Sequence, residues 1–286
     1  MAELRIGTCS WKYPSWRGLV YSAAQGINYL QEYAAHFNTV EVDQWFWSLF
    51  GDGDVRLPDP DDARAYRASV PDDFRFSIKV PDSITLTHLR SRNKAAPLIS
   101  NPHFLSPTLF ASFLAAIAPL RDALGPLMFQ FEYLNRQKMP SQEAFQQVTH
   151  AFIRGLPRDY TYGVEIRNPN YLNDAFLDFL AGCGAVPVLL QGYYMPSVVA
   201  LYERWRTRLS RFDTVVLRLH GPDRQGMEER SGNQWDRIIA PKDDELVAVA
   251  GIARELLAGG ARVYINVNNH YEGSAPLTIA RLQRLL

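Results

Sequence analysis

The chain has 286 residues, of which 47% are hydrophobic and 21% are charged, and its 30 lysines and arginines balance 30 aspartates and glutamates. This composition excludes an intrinsically disordered chain, because enough apolar residues are present to bury a core. A protein whose main partner is nucleic acid usually carries excess positive charge, so the net charge of zero disfavours that class.

Apolar, strand-like segments alternate with amphipathic helical patterns along the chain. The strands are predicted at residues 4–7, 39–43, 74–80, 127–131, 162–167, 186–190, 215–220 and 262–268. Helices are predicted after the N-cap residues Ser106, Ser141 and Asn173, and a last apolar stripe over 246–256 ends before Gly259. Eight strands in 286 residues give about 36 residues for each strand together with the helix and loops that follow it. This is close to what a closed parallel barrel with crossover helices requires. The sequence therefore predicts an α/β fold, a (β/α)8 TIM-like barrel that forms one domain over residues 1–286.

Three polar, turn-rich segments are longer than a minimal barrel needs. They cover residues 51–60, 81–107 and 221–241, and each of them comes after a predicted strand. Long connections inside a domain are usually lids or binding loops, and barrel active sites form at the carboxyl ends of the strands. These segments are therefore predicted to surround an active site.

Polar side chains collect near the carboxyl ends of the predicted strands. In the last strand, Val263, Ile265 and Val267 are apolar, whereas the alternate positions end in Asn266 and Asn268. Because successive side chains of a strand point to opposite faces, the apolar set can pack on the helices while the polar set faces the barrel axis. The residues predicted to meet at this mouth are Glu41, Asp43, Lys79, Gln130, Glu165, Arg167, Arg218, His220, Asn266 and Asn268. The alternatives are an antiparallel sheet with one face in water, and an ion-pair network that only stabilises the fold.

Short motifs in a fixed order cover nearly the whole chain. They are Ile-Gly-Thr-Cys-Ser-Trp at 6–11, Tyr-Pro at 13–14, Trp-Arg-Gly at 16–18, Val-Glu-Val at 40–42, and the segments 71–79, 124–130, 164–169, 217–221 and 267–276. With these motifs the chain resembles the YecE-like family, domain of unknown function 72. The resemblance implies a TIM-like barrel and no established activity, since the function of the family is unassigned. One departure is Asp43, where the resemblance implies asparagine, and the stretch 44–57 after it is longer than usual.

The candidate catalytic residues are Glu41, Glu165 and His220. Two carboxylates that flank a substrate can act as general acid and general base, which is also the arrangement of glycosidases. His220 ends a strand beside a Gly-Pro turn, and an imidazole can transfer protons near neutral pH. The alternative roles are structural, with the glutamates as ion-pair partners and the histidine as a hydrogen-bonded core residue.

The candidate substrate-binding residues are Lys79, Gln130, Arg167, Arg218, Asn266, Asn268, His270 and Trp11. Lys79, Arg167 and Arg218 come from separate strands and would suit an anionic group such as phosphate or carboxylate. A Schiff-base role for Lys79 and a counter-ion role for Arg167 are alternatives. The turn at 268–273 precedes the last helix, and barrels often bind phosphate at such a turn. The alternative is that its side chains form hydrogen bonds within the turn itself. Trp11 could stack on a sugar or a base, or pack the barrel rim.

The sequence predicts an enzyme that uses acid–base chemistry on a small anionic or polyol-like molecule, as a hydrolase, isomerase or lyase. One alternative is a barrel that binds or processes nucleic acid through the basic loop at 88–94, and another is a non-catalytic ligand-binding barrel. No Gly-x-Gly-x-x-Gly or Walker motif points to a nucleotide cofactor. No metal is predicted, because no His-x-His or His-x-x-x-His pair occurs; a set drawn from Asp43, Glu165, His220 and His270 is the alternative.

Cysteine content and hydropathy bear on the cellular location. Cys9 and Cys183 are too few for a disulfide framework and match no metal-ligand spacing. No run of about 18 apolar residues occurs, and the first residues lack the apolar core of a signal peptide. A cytoplasmic protein without a membrane partner is therefore expected.

Overall fold

The computed structural model describes residues 2–51, 53–91, 93 and 96–286 of the chain. Asp52 of the predicted loop at 51–60, and Arg92 and Lys94 of the predicted basic loop at 88–94, lie outside the described residues. None of the helices in the described ranges has both the length and the apolar character that a membrane crossing requires.

The strands form a closed barrel and one small hairpin. Those described are β1 (Glu3–Cys9), β2 (Thr39–Val42), β3 (Leu49–Phe50), β4 (Asp54–Val55), β5 (Arg75–Lys79), β6 (Leu124–Gln130), β7 (Tyr162–Glu165), β8 (Val186–Gly192), β9 (Thr214–Gly221) and β10 (Arg262–Val267). The barrel order is β1-β10-β9-β8-β7-β6-β5-β2, and β3 pairs with β4 in the hairpin. Strand β1 is parallel to both β10 and β2, and β9 is parallel to β8 and β10. The predicted parallel barrel is confirmed, and the antiparallel alternative is wrong.

Helices connect the barrel strands. Those described are α1 (Tyr29–Ala34), α2 (Pro60–Ala68), α3 (Asp82–Thr85), α4 (Pro107–Ala116), α5 (Gln142–Arg154), α6 (Asp174–Cys183), α7 (Val198–Leu209), α8 (Arg224–Ser231), α9 (Asp243–Ala258) and α10 (Ala275–Gln283). The side chains of Ser106, Ser141 and Asn173 each accept a hydrogen bond from the backbone N–H three residues later, so the predicted N-caps are confirmed. The predicted loop at 221–241 contains α8, which the sequence pattern did not indicate. Asp223 begins this helix by accepting a hydrogen bond from the N–H of Gly226 at 2.9 Å.

The chain divides into two compact units, each with its own apolar packing. Unit 1 comprises Met1–Glu41, Ser69–Phe76 and Val186–Leu286, and unit 2 comprises Val42–Ala68 and Ser77–Ala185. The prediction of a single domain stays a prediction.

Different side chains fill the two units. In unit 1 the predicted stripe of α9 is buried, including Val249 and Ile252. In unit 2 the rings of Phe110, Phe129 and Phe152 pack together, with the Phe110 centroid 5.3 Å from that of Phe129 and 5.9 Å from that of Phe152. Burial of such side chains stabilises each unit and fixes the positions of the strand ends.

Candidate functional site

Five polar or reactive side chains of unit 1 lie toward the carboxyl ends of β1, β2, β9 and β10. They are Cys9, Glu41, Arg218, His220 and Asn266, and we call them the unit 1 cluster. Cys9 pairs in register with Glu41, and Asn266 pairs with Arg218. Because the strands are parallel, their carboxyl ends share one rim, and the alternation of side chains brings these positions to the same face.

Glu41 and Arg218 form a buried, bidentate ion pair. Arg218 Nε donates to Glu41 Oε2 at 2.7 Å, and Arg218 Nη2 donates to Glu41 Oε1 at 2.6 Å. Asn266 Nδ2 donates to Oε2 at 3.2 Å. Glu41 is 0% exposed and Arg218 is 1% exposed, so removal from water costs both ions several kcal/mol, which the paired geometry offsets. The guanidinium of Arg218, which the sequence predicts to bind a ligand anion, thus binds the Glu41 carboxylate. A ligand-binding role for Arg218 stays a prediction.

The arginine of β9 reaches the glutamate of β2 across two intervening strands, β10 and β1. The position of β1 in register with Asn266 is Gly7, which has no side chain. A Cβ atom at Gly7 would lie 1.9 Å from the carbonyl oxygen of Thr39. Glycine at this position therefore allows β1 to approach β2 closely, two residues before the paired positions Cys9 and Glu41.

The imidazole of His220 lies between a thiol and a phenol. Its Nε2 is 3.6 Å from Cys9 Sγ, and its Nδ1 is 3.4 Å from the hydroxyl of Tyr193. His220 is 7% exposed, and one ligand atom from each of Cys9, Glu41 and His220 lies within 4.8 Å of the others. A thiol, an imidazole and a carboxylate so placed can exchange protons or bind a metal ion.

Cys9 is the residue of this cluster that sequence reasoning missed. Two cysteines are too few for a disulfide framework and match no metal motif of short spacing, so no role was predicted for Cys9. The available signal was its position, since Cys9 ends β1 in register with Glu41, the residue before the end of β2. Strand-end position is thus a better guide in this fold than sequence spacing.

Unusual backbone conformations follow the strand ends at the cluster. Ser10 and Tyr193 have φ of 65° and 54°, a region that residues other than glycine rarely occupy. Ser10 N donates to the carbonyl oxygen of Glu41 at 2.9 Å, and Tyr193 N donates to that of Gly221 at 3.0 Å. These bonds stabilise the turns next to Cys9 and at Tyr193. Positive φ values at residues other than glycine are strained and concentrate at functional sites.

Unit 2 contains a second group of predicted site residues. Arg167 Nε donates to Glu165 Oε1 at 2.5 Å, and Arg167 Nη2 donates to Gln130 Oε1 at 3.3 Å. Glu165 and Gln130 are register partners on β7 and β6. The counter-ion role that the sequence left open for Arg167 matches this geometry, and its substrate-binding role stays a prediction.

Lys79, at the end of β5, lies against an aromatic ring of unit 2. Its Nζ is 3.8 Å from the centroid of the Phe46 ring, which is a cation–π contact. Phe46 follows the half-buried Asp43, whose carbonyl oxygen accepts a hydrogen bond from Phe46 N at 3.1 Å. The longer stretch after β2 thus supplies a ring to this lysine.

Asn268 and His270, predicted to bind phosphate, contact each other and a carboxylate. Asn268 Oδ1 accepts a hydrogen bond from His270 N at 3.0 Å and also contacts His270 Nδ1. His270 Nε2 lies 3.1 Å from Glu228 Oε1, and the Trp235 ring packs at 4.9 Å between centroids. The side chains bond their own turn, and the charge of Glu228 disfavours an anion beside this imidazole.

Trp11 packs into the segment that follows β1. It is buried, and its carbonyl oxygen accepts hydrogen bonds from Tyr13 N at 3.0 Å and from the hydroxyl of Tyr21. Tyr13 in turn packs on Trp16 with ring centroids 4.6 Å apart. These contacts describe a packed aromatic loop, and ligand stacking on Trp11 stays a prediction.

The titration of His270 should make stability depend on pH. Burial of the imidazole, which is 15% exposed, lowers the pKa of His270 below its usual value, while the hydrogen bond to Glu228 opposes the shift. The unfolded chain therefore binds this proton first as the pH falls through about 6.5, and the free energy of unfolding should decrease. Urea unfolding of the protein and of His270→Asn at about pH 7.5 and about pH 5.5 measures the effect. We expect the smaller decrease in the variant, and equal decreases would contradict this origin.

Comparisons with known proteins agree with the architecture. The family described as "Protein of unknown function DUF72" matches residues 5–286. A region of 167 residues is 29% identical to the UPF0759 protein YecE of Escherichia coli (strain K12); it covers 58% of this chain and 49% of the relative, so the match spans about half of the relative's length.

Solved structures of two relatives are similar in fold. A DUF72 family protein of Enterococcus faecalis V583 is 18% identical, with a TM-score of 0.68 over 99% of this chain and 95% of that chain. A DUF72 family protein of Thermotoga maritima MSB8 is 20% identical, with a TM-score of 0.68 over 99% of this chain and 98% of that chain. At these identities the similarity establishes the fold alone.

Proposed function

For this chain, which belongs to the DUF72 family of proteins of unknown function, we propose an acid–base enzyme whose reactive centre is the unit 1 cluster. Its substrate would be a small, polyol-like molecule, and its reaction a proton transfer within the hydrolase, isomerase or lyase classes. The placement of the cluster at the carboxyl ends of barrel strands supports this proposal, because barrel enzymes form their sites there.

The observation that carries the proposal is the position of the His220 imidazole. It has the Cys9 thiol on one nitrogen at 3.6 Å and the Tyr193 hydroxyl on the other at 3.4 Å. Two groups that fix both ring nitrogens hold an imidazole in one orientation, which a general acid or base needs. The reaction assigned to His220 is acceptance of a substrate proton at Nε2 and its return to the product.

A neutral, hydroxylated substrate suits the cluster better than an anion. Arg218 is neutralised by Glu41 in the bidentate pair, so this centre presents no excess positive charge in its described contacts. Asn266 Oδ1 is buried, and no donor within the described residues bonds to it. A buried acceptor of this kind favours a ligand that brings a hydroxyl donor.

The variant His220→Asn should abolish turnover. We expect a loss of at least about 100-fold, the contribution typical of a positioned general acid or base. The assay incubates the protein with aldoses, ketoses, polyols and their phosphate esters, and proton NMR follows new product signals. Neutral members of this panel should react faster than the phosphate esters.

Matched cysteine variants provide the control for this prediction. Cys9→Ser should reduce turnover because Cys9 contacts the imidazole, whereas Cys183→Ser should not, since Cys183 Sγ bonds only locally to the Leu180 carbonyl at 3.4 Å in the described contacts. Circular dichroism checks that each variant is folded. Full activity of a folded His220→Asn protein, or no turnover of any panel member by the parent protein, would contradict the proposal.

We further propose that the protein works in the cytoplasm. The role given to Cys9 requires a thiol, which a reducing compartment maintains. Within the described residues, neither Cys9 nor Cys183 forms a disulfide.

A further inference from the structure

We propose that Cys9, Glu41 and His220 form a binding site for Zn²⁺. The three side chains come from the carboxyl ends of β1, β2 and β9, and all three are buried. One ligand atom from each lies within 4.8 Å of the other two. This inference goes beyond the proposed function and does not rest on it, because metal binding requires neither a substrate nor turnover.

The separation of the thiol and the imidazole matches a tetrahedral zinc centre. Zn–S bonds of about 2.3 Å and Zn–N bonds of about 2.0–2.1 Å place sulfur and nitrogen about 3.6 Å apart at the tetrahedral angle. Cys9 Sγ and His220 Nε2 are 3.6 Å apart. A zinc ion can therefore bind both atoms without a shift of either strand.

The identity of the ligands favours Zn²⁺ over the hard cations. Thiolate and imidazole are the preferred partners of Zn²⁺, whereas Mg²⁺ and Ca²⁺ require oxygen ligands. The hydroxyl of Tyr193 lies 3.4 Å from His220 Nδ1, where metal-binding histidines carry their outer hydrogen-bond partner. This contact leaves Nε2 directed toward Cys9.

Glu41 can be the third ligand while it keeps its pair with Arg218. A carboxylate has about four lone-pair sites, and three of those of Glu41 accept hydrogen bonds from Arg218 and Asn266. One site remains for a metal. An oxygen edge of a zinc tetrahedron is about 3.4 Å, so the carboxylate needs a movement on the order of 1 Å toward Cys9 and His220, and Arg218 has to follow it for the pair to persist.

Binding would proceed with release of a proton. The thiol of Cys9 loses its S–H proton to water, the thiolate forms the Zn–S bond, and no electrons are transferred. A zinc ion on His220 Nε2 occupies the atom to which the proposed function assigns proton transfer. Zinc should therefore inhibit that activity, and the fourth position remains open to water or another ligand.

Cobalt titration of the full chain tests the site without an activity assay. The protein is reduced, treated with a chelator, desalted and titrated with Co²⁺. We expect one equivalent to produce a thiolate-to-cobalt charge-transfer band and the strong visible bands of tetrahedral cobalt, and one equivalent of Zn²⁺ to remove both. Weak, octahedral-type spectra in the parent protein would overturn the proposal, whether or not the enzyme assay finds turnover.

Variants assign the ligands. Cys9→Ser should lose the charge-transfer band, and His220→Asn should keep it but bind at least about tenfold more weakly, because even the outer hydrogen-bond partners of metal ligands typically contribute about 10–100-fold to affinity. Cys183→Ser, the matched buried cysteine, should retain the parent spectrum. A charge-transfer band that persists in Cys9→Ser and disappears in Cys183→Ser would assign the metal elsewhere and overturn the site. Zinc should also raise the melting temperature of the parent but not of Cys9→Ser, which checks binding by the folded state.

Discussion

Replacement of Glu41 by glutamine should lower the free energy of unfolding by about 3–5 kcal/mol, the range found when one member of a buried ion pair is removed. The reason is the burial of Arg218, which is 1% exposed and loses the carboxylate that faces both Nε and Nη2. An amide can accept only one such bond well and carries no charge. Urea or guanidinium denaturation at neutral pH measures the change.

Two further variants separate the charge effect from a general effect of mutation. Glu255→Gln changes the same functional group in an exposed pair with Arg206, where the glutamate is 44% exposed, and should lower the free energy of unfolding far less than Glu41→Gln does. The double variant Glu41→Leu with Arg218→Met removes both buried charges and should be more stable than Glu41→Gln. Equal losses for Glu41→Gln and Glu255→Gln would show that the buried pair is not a major determinant of stability.

The same pair bears on function, because we expect that apolar residues could replace both of its members without loss of stability. Apolar residues of similar volume would fill the interior at least as well as an arginine and a glutamate. Because the ions lie near Cys9 and His220, we expect their charges to serve the chemistry of the cluster. In the double variant we expect stability to be largely retained while turnover is lost.

The fold follows from the sequence to a large extent because its signals are periodic. Apolar alternation located all eight barrel strands. In the last one, Asn266 lies in β10 as predicted, whereas Asn268 follows the end of the strand at Val267. Alternation also places Glu41, Arg218 and His220 on one face. Helix α8 was missed because its residues are mainly polar, so the hydrophobic pattern gives no signal there.

Specific partners could not be predicted, because they depend on distances across the barrel. Arg218 and Glu41 are 177 residues apart in sequence, and their contact depends on the order of β9, β10, β1 and β2. The sequence shows charges at strand ends but does not specify which carboxylate meets which cation. The contact of Cys9 with His220 could not be predicted for the same reason, since the two residues are 211 positions apart.

Replacement of Gly221 by alanine should destabilise the protein by about 2–5 kcal/mol, the sum of a left-handed backbone penalty and overpacking. Gly221 ends β9 with φ of 78°, and a Cβ atom there would lie 2.4 Å from the carbonyl oxygen of His270. That oxygen belongs to the backbone, so a side-chain rotation cannot relieve the overlap. The turn at 268–273 would have to move, and with it the strand end that holds His220.

Gly184 provides the matched control, because its φ of 76° is nearly the same. A Cβ atom at Gly184 would meet only Arg158 Nη1, at 3.9 Å, so Gly184→Ala should cost about 1–2 kcal/mol from the backbone alone. Urea denaturation gives the loss in free energy of unfolding for each variant. The difference between the two losses then measures the cost of the steric overlap at Gly221. Equal losses would mean that the turn at 268–273 accommodates the added methyl group at little cost, and would contradict the prediction for Gly221→Ala.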